Sequence, residues 1–389
     1  LAARLPGGRR TVRTLLSLCD WLPPDFGAVG QYALAACRER AAAGERVTLV
    51  GLTAGPGREE TAEIGAGRLR VVRLQAPAYD RADFRSRALW TLRTNLRLVA
   101  RAAREMAGAD EVLFAGAPPF LLHLLVPANL LFARPLTYRI TDFHPECLMA
   151  ELGRVPAALR WFHRLTLFLR RRVDRFEVLG EDQRRRLLEI GIEPGRIALV
   201  RDDSPVPIPP GTEPLPLPAE LAGKRVLLYS GNFGVAHDDA TFVEGYTRHH
   251  REGSGRVALW LNATGAKADR VEAALRARGL PVHRGRPVPL ADLARLLVTP
   301  AAHLITLRDE FVGYVLPSKV YGCIASGRQV LFVGSEASDV DLLCRERLPT
   351  GRCRGVGGGD VEGVAAALEG IASRGDERSR TGEREAGVC

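Results

Sequence analysis

Seven prolines crowd into the fourteen residues 205–218. A stretch this dense in proline continues neither a helix nor a central strand, so it interrupts the chain. The same pattern runs on both sides of it. Before it, short β-type runs at 11–18, 46–52, 111–114, 136–140, 176–179 and 197–200 alternate with helical stretches, the first at 30–43. After it, runs at 225–229, 257–261, 303–306 and 329–333 repeat the alternation. Strands alternating with helices predict parallel, doubly wound sheets. The expected organisation is an α/β chain of two Rossmann-like domains, 1–204 and 223–372, facing one another across a central cleft. A Pro-rich linker at 205–222 joins them, and the polar segment 373–389 reads as a disordered tail.

Composition narrows the class. With 389 residues, 46% hydrophobic and 26% charged, the chain reads as globular, not fibrous or wholly disordered. No apolar run reaches the ~20 residues of a membrane span. The longest, 120–133, is broken by His123, Pro127 and Asn129 and reads as a buried helix. The basic start shows no cleavage signature of a secretory signal. Seven scattered cysteines, with no C-x-x-C pair, fit a reduced cytoplasmic protein without a structural zinc site. The net charge of +10 is uneven: residues 1–204 hold 32 Arg and no Lys against 23 acids. Such a half suits an anionic partner, or simply solvated arginine faces. Residues 160–172 mix arginines with Trp161, Phe162 and Phe168. They fit either an anionic membrane surface or a helix with one core face.

In open parallel sheets, ligands sit at the carboxyl ends of strands. Five strand-end loops concentrate polar and small residues. The first carries Asp25, Gly27 and Gly30, a tight approach to a helix start. The second gathers Asp142, His144 and Glu146, groups suited to proton transfer or to sugar hydroxyls. The third, with Gly231, Asn232 and Gly234, reads as a small-residue loop entering a helix and facing a diphosphate. It matches neither a P-loop nor a dinucleotide fingerprint. The fourth ends in Gly265 and Lys267. The fifth runs through Glu310 to Pro317, Ser318 and Lys319. A cation in a first helical turn suits a bound anion beside it. Among 55 basic residues only Lys224, Lys267 and Lys319 are lysines, and two of them fall in these loops.

Taken together, the two halves, the strand-end His144, the Ser230-Gly231-Asn232-Phe233-Gly234 opening and the run 316–334 resemble GT-B glycosyltransferases of the group 1 (family 4) type. The resemblance is strongest toward the exopolysaccharide (colanic-acid-like) transferases and covers residues 11–372. It implies retaining transfer of a sugar from a nucleotide sugar, UDP- or GDP-linked, with no cofactor and no metal. The acceptor would be a glycan, a lipid-linked glycan or a small molecule, met in the cytoplasm or at the inner membrane face; no nucleic acid is expected. Carried onto this chain, Gly27, Gly231, Asn232, Gly234, Lys267, Ser318 and Lys319 would bind the donor. His144, Asp142 and Glu310 would be catalytic, and Asp25 and Glu146 would lie on the acceptor side. Two departures stand out. Asn232 and His237 occupy the region where many members carry Arg and Lys. Tyr314 and Gly322 stand where two glutamates eight apart are usual, with Glu310 four residues early. These gaps keep open a sugar-nucleotide epimerase or hydrolase and a non-catalytic partner subunit.

Overall fold

The computed structural model describes residues 12–25, 27–77 and 84–385. The ends of the sequence, 1–11 and 386–389, and Phe26 in the first loop lie outside the described residues. The chain divides into two compact units. Unit 1 comprises Leu1–Met149, Arg154–Leu179 and Leu187–Val200; unit 2 comprises Ala150–Gly153, Gly180–Arg186 and Arg201–Cys389.

Unit 1 is built on β1 (Thr14–Trp21), α1 (Ala28–Ala42), β2 (Arg46–Thr53), β3 (Arg58–Ile64), β4 (Gly67–Gln75), α2 (Phe84–Met106) and β5 (Glu111–Ala115). Then come α3 (Leu122–Asn129), β6 (Leu136–Ile140), α4 (Glu146–Leu152), α5 (Ala157–Arg170), β7 (Arg175–Val178), α6 (Glu181–Glu189) and β8 (Ile197–Leu199), with the end of α4 from 150 and the start of α6 up to 186 belonging to unit 2. The strand order is β3-β4-β2-β1-β5-β6-β7-β8. Every pairing is parallel except β3 with β4. Residues 15–19 of β1 are all buried, as a central parallel strand covered on both faces requires. Leu15, Cys19, Leu49 and Val71 of the sheet meet Leu34, Cys37 and Ala41 of α1 in one apolar cluster.

Strands β3 and β4 had no counterpart in the sequence reading. The six residues Arg58 to Glu63 are exposed, so β3 carries no apolar alternation. Glutamates of β3 pair with arginines of β4, as in Arg73–Glu60 at 2.9 Å and Arg70–Glu59 at 2.6 Å. Charges of this kind blunt an edge strand.

Unit 2 holds β9 (Arg225–Asn232), α7 (Ala240–Glu252), β10 (Val257–Thr264), α8 (Ala266–Ala277), β11 (Val282–Arg284) and α9 (Leu290–Val298). These are followed by β12 (Ala302–Thr306), α10 (Lys319–Ala325), β13 (Gln329–Val333), α11 (Asp339–Arg347), β14 (Cys353–Val356) and α12 (Val361–Glu385). The strands pair in parallel in the order β11-β10-β9-β12-β13-β14. Leu227, Tyr229, Leu259, Leu261 and Leu304 pack against Phe242 and Tyr246 of α7 and Val364 and Leu368 of α12.

Three sequence expectations change here. The proline-rich stretch is not a free linker but part of unit 2. Leu215 and Leu221 pack on Val226, Leu228, Trp260 and Leu296, and Leu215 N donates to Thr299 Oγ1 at 2.9 Å. The segment taken as a disordered tail from 373 continues α12 as far as Glu385. The run 120–133 holds only a short helix, Leu122–Asn129, and the turn after it leaves Leu130 and Leu131 72% and 85% exposed, so the run is not a buried helix.

The segment Gly180–Arg186 is tied into unit 2 by two buried carboxylates. Asp182 Oδ2 accepts from Asp339 N at 3.0 Å, while Asp339 Oδ1 accepts from Glu181 N at 2.9 Å. Each aspartate thus satisfies a donor at the start of the other's helix, α11 or α6. Burial raises both carboxyls, Asp339 to about 6.

Candidate functional site

In unit 1 the sheet order reverses at β1, which lies between β2 and β5. The carboxyl ends of these strands are where a ligand is expected. The start of α1 lies hard against the end of β1. A Cβ on Gly30 would sit 1.9 Å from Trp21 O, and one on Gly27 would lie 3.2 Å from the same oxygen. Only glycine allows the approach at Gly30, while at Gly27 a Cβ would be merely crowded. Gly27 is the N-cap residue, extended in backbone and without a side chain to cap the helix. Asp25 is held in this loop, accepting from Thr53 Oγ1 at 2.7 Å and Ala54 N at 3.1 Å. Its carboxylate fastens the loop to the end of β2.

Two buried carboxyls stand at the ends of β1 and β6. Asp20, near the end of β1, is pushed up to about 7 by burial, with Asp142 adding to the shift. Burial likewise lifts Asp142, just past β6, to about 6. Asp20 Oδ1 is buried, with no hydrogen-bond partner among the described residues. It lies 3.9 Å from where a Cβ on Gly27 would be. The imidazole of His144 is held down to about 4 by burial, so it is neutral near pH 7. Its ring packs 5.7 Å from that of Phe120. Phe120 itself has φ of +67°, in the left-handed region that a bulky residue seldom adopts. Strained backbone of this kind often accompanies function.

Glu146 plays a different part from the one its position suggests. Arg170 of α5, fully buried, grips both of its oxygens, and His163 Nε2 lies 3.0 Å from Oε1. Burial would raise this carboxyl, but the His163 hydrogen bond and the Arg170 charge prevail and hold it at about 2. Arg170 Nη2 also donates to His144 O at 3.0 Å. The ion pair therefore fixes the backbone that carries His144, and Glu146 has no free oxygen to offer an acceptor.

In unit 2 the corresponding reversal falls at β9, between β10 and β12. The sequence reading took 230–234 as a loop entering a helix. The structure instead continues β9 through Asn232, in register with β10 as far as Thr264, and α7 starts only at Ala240. Gly231 has φ of +113°, a conformation that favours glycine. A Cβ there would stand 3.8 Å from Lys319 Cε. The Lys319 amine lies over the Tyr229 ring, 3.4 Å from its centroid. It is buried without a hydrogen-bond partner among the described residues, and burial pulls it down to about 7. A buried cation resting on an aromatic face with unmet donors suits a phosphate.

Around it, His237 Nδ1 lies 2.6 Å from Thr306 O, and burial followed by Lys319 keeps the ring neutral. Lys267, in the first turn of α8, pairs with Asp239 at 2.8 Å and donates to His237 O. It braces the His237 loop and is not a free cation. Ser318 is the N-cap of α10, and its hydroxyl makes no capping bond. Asn232 is exposed, and its side-chain oxygen packs against Gly265, the N-cap of α8. At Gly234 a Cβ would lie 3.2 Å from the Asn232 amide nitrogen. Glu310 sits in a 3-10 turn, Asp309–Phe311, paired with Arg308 at 3.2 Å.

Sequence reasoning missed Asp20, Arg170, His163 and Tyr229. Asp20 had a legible signal, a carboxylate ending an apolar strand. Arg170 had none, since Arg170, Arg171 and Arg172 are consecutive and only the fold buries the first.

Two parallel-sheet units with polar strand-end loops are the architecture of the GT-B fold. Residues 27–202 match the glycosyl transferase 4-like domain. The chain has the GT-B fold seen in solved glycosyltransferases. The probable glycosyltransferase WbjE of Pseudomonas aeruginosa is 24% identical over 263 residues, 65% of this chain. That match spans 63% of WbjE, under two thirds of its length. Among solved structures, an alpha,alpha-trehalose-phosphate synthase (UDP-forming) from Burkholderia vietnamiensis superposes with a TM-score of 0.60 at 13% identity, over 93% of this chain and 92% of that one. Anabaena HepE, in complex with UDP and glucose, gives 0.62 at 12% identity, over 93% and 90%. WaaG, a glycosyltransferase involved in lipopolysaccharide biosynthesis, gives 0.60 at 14%, over 92% and 90%.

Proposed function

We propose that this protein is a glycosyltransferase that moves a hexose-type sugar from a nucleotide-sugar donor to a hydroxyl of a glycan, lipid-linked or small-molecule acceptor. The observation that carries the reading is Lys319, a buried amine on the Tyr229 ring beside Gly231, at the carboxyl end of β9. A leaving diphosphate gains negative charge as the glycosidic bond breaks. A preorganised cation in a dry site stabilises that charge by several kcal/mol. Lys319 fills this role with Gly231, Asn232, Gly234 and Ser318 around the phosphates. Lys267 acts by bracing the His237 loop. In unit 1, neutral His144 hydrogen-bonds the transferred sugar, and Asp142 with Asp20 engages hydroxyls near Gly27. Glu310 is the remaining sugar contact. UDP is the favoured base, since HepE is a UDP-glucose complex in the solved neighbour. The transfer proceeds with retention and without metal, the donor phosphate accepting the acceptor's proton.

The acceptor side favours a membrane-borne substrate at the inner membrane face. No helix among the described residues is long and apolar enough to cross a membrane. Unit 1 does expose Leu89, Leu92 and Leu96 on α2 and Trp161 and Phe168 on α5, helices rich in arginine. Such faces lie on anionic lipid surfaces. The epimerase alternative loses ground, because Glu146 is spent on Arg170 and His163 and cannot join an acid/base trio.

The test is thermal unfolding against UDP, GDP, ADP, dTDP and their sugar conjugates. A ligand at ~100 times its dissociation constant adds about 2.7 kcal/mol. One nucleotide family raising the midpoint by a few degrees identifies the donor base. No shift with any of them rejects the donor assignment and leaves the partner-subunit reading.

A further inference from the structure

Arg170 holds the backbone of His144, donating to its carbonyl at 3.0 Å. The imidazole itself makes no hydrogen bond among the described residues. A working imidazole is usually turned by the bond that its second nitrogen makes. Something else must turn this one. The side chain against it is Phe120, whose ring lies 5.7 Å away at 59° to the imidazole plane.

Phe120 is held there against its own preference. Its φ of +67° is a conformation that costs a bulky residue stability and persists only where the surroundings enforce it. Here they do. Asn95 Nδ2 of α2 donates to Pro119 O at 2.8 Å, and His123 N of α3 donates to Phe120 O at 3.0 Å. The ring is seated as firmly as the backbone. Phe162 of α5 meets it edge-on at 5.4 Å, and His123 does so at 5.8 Å. Those two rings stack on each other at 4.5 Å. His123 is committed to this wall, with Nε2 2.9 Å from Thr166 Oγ1 and Nδ1 3.3 Å from Phe120 O.

A simpler account makes Phe120 a core filler. The residue is half-buried, however, and filling a core needs no left-handed backbone. What that backbone delivers is a ring against His144. Nearby charges do not set the state of the imidazole. Glu146 favours its charged form and Arg170 opposes it, so burial decides and keeps it neutral. Phe120 supplies apolar cover on one side.

We propose that Phe120 is the positioning residue of His144, its ring fixing the orientation of the imidazole and screening it from water. The inference rests on the sugar contact read above for His144, but its test needs no donor.

The experiment is NMR on the full chain with carbon-13-labelled histidine and phenylalanine rings. The eight histidine signals are followed from pH ~8 down to ~4, and His144 is assigned by its loss in His144→Ala. The parent is compared with Phe120→Tyr, Phe120→Leu and Phe120→Asn. Cross-relaxation between the aromatic ring at 120 and the His144 ring is expected in the parent and in Phe120→Tyr. The His144 midpoint is expected to stay low in both. It should rise by about one pH unit in Phe120→Leu and Phe120→Asn, as water reaches the imidazole. Asparagine accepts the left-handed backbone, so Phe120→Asn keeps the fold where Phe120→Leu does not, and a cooperative melt checks each variant. No ring contact in the parent, a midpoint unmoved in both ring-less variants, or an equal rise in Phe120→Tyr overturns the proposal. If the imidazole behaves as expected while no nucleotide binds, the donor reading fails and the placing of His144 by Phe120 stands.

Discussion

Replacing Arg170 with Met tests how the His144 backbone is held. Arg170 is fully buried and Glu146 nearly so, with side-chain exposures of 0% and 8%. The substitution keeps much of the side-chain volume but leaves a carboxylate inside with only His163 for company. Breaking a buried ion pair from one side costs about 3–5 kcal/mol. With His163 still bonded to Oε1, the lower end is expected, about 3 kcal/mol, a large share of a typical total of about 5–15. The double variant Arg170→Met/Glu146→Leu removes both charges and is expected to be more stable than Arg170→Met alone.

Acid gives a second handle. In the parent, Glu146 is held at about 2, so its contribution is present above the usual carboxylate value and fades as pH falls toward 2. In Arg170→Met the orphaned carboxyl moves the other way, and its penalty fades as it takes up a proton. Both effects narrow the gap between the two proteins as pH falls from ~5 to ~3. Urea unfolding followed by tryptophan fluorescence at pH 7, 5, 4 and 3 measures this. A cost under about 1 kcal/mol, a gap that does not change with pH, or additive costs in the double variant would refute the reasoning.

His144→Ala is expected to leave nucleotide binding nearly intact while abolishing transfer, read by calorimetry beside product formation; normal turnover removes His144 from the chemistry. Lys319, pulled down to about 7, is charged below that pH and increasingly neutral above it. Affinity for a nucleoside diphosphate should therefore fall as pH rises from ~6 to ~9, with proton uptake on binding. Lys319→Ala should lower affinity about tenfold and flatten that profile, in line with the ~1.5–3 kcal/mol of a charged hydrogen bond; an unchanged profile contradicts the assignment. Asp20 is raised to about 7, so its contribution to stability is full below the usual carboxylate pKa and is lost as pH rises through 7. Asp20→Asn should remove that part of the slope in melting temperature between pH 4 and 7, and an identical slope would show that Asp20 is ionised in the fold.

What could be read from the sequence was whatever depends on local pattern. Central strands such as β9 and β10 carry unbroken apolar runs, 226–229 and 257–261, because both faces are covered, so they announce themselves. The start of α10 at Lys319 was legible from Pro317 and Ser318. Strand β3 was not, because an exposed antiparallel edge is chosen by its charged partners on β4 and not by its own hydrophobicity. The site shows the same division. Residue types at strand ends identify His144, Asp142 and Lys319 as candidates. The sequence does not reveal that Arg170, 24 positions away, consumes Glu146, or that Asp239 occupies Lys267. Those are matters of pairing, settled only when distant segments meet.

The exchange of caps between Asp182 and Asp339 bears on how such a chain can be inherited. The polypeptide passes between its two units five times, and Gly180–Arg186 belongs with the half that follows the prolines. A recombination event joining two relatives at the proline-rich stretch would separate each aspartate from the backbone it evolved beside. Chimeras that swap whole donor-side halves should therefore tolerate the exchange best when residues 180–186 travel with 201–389.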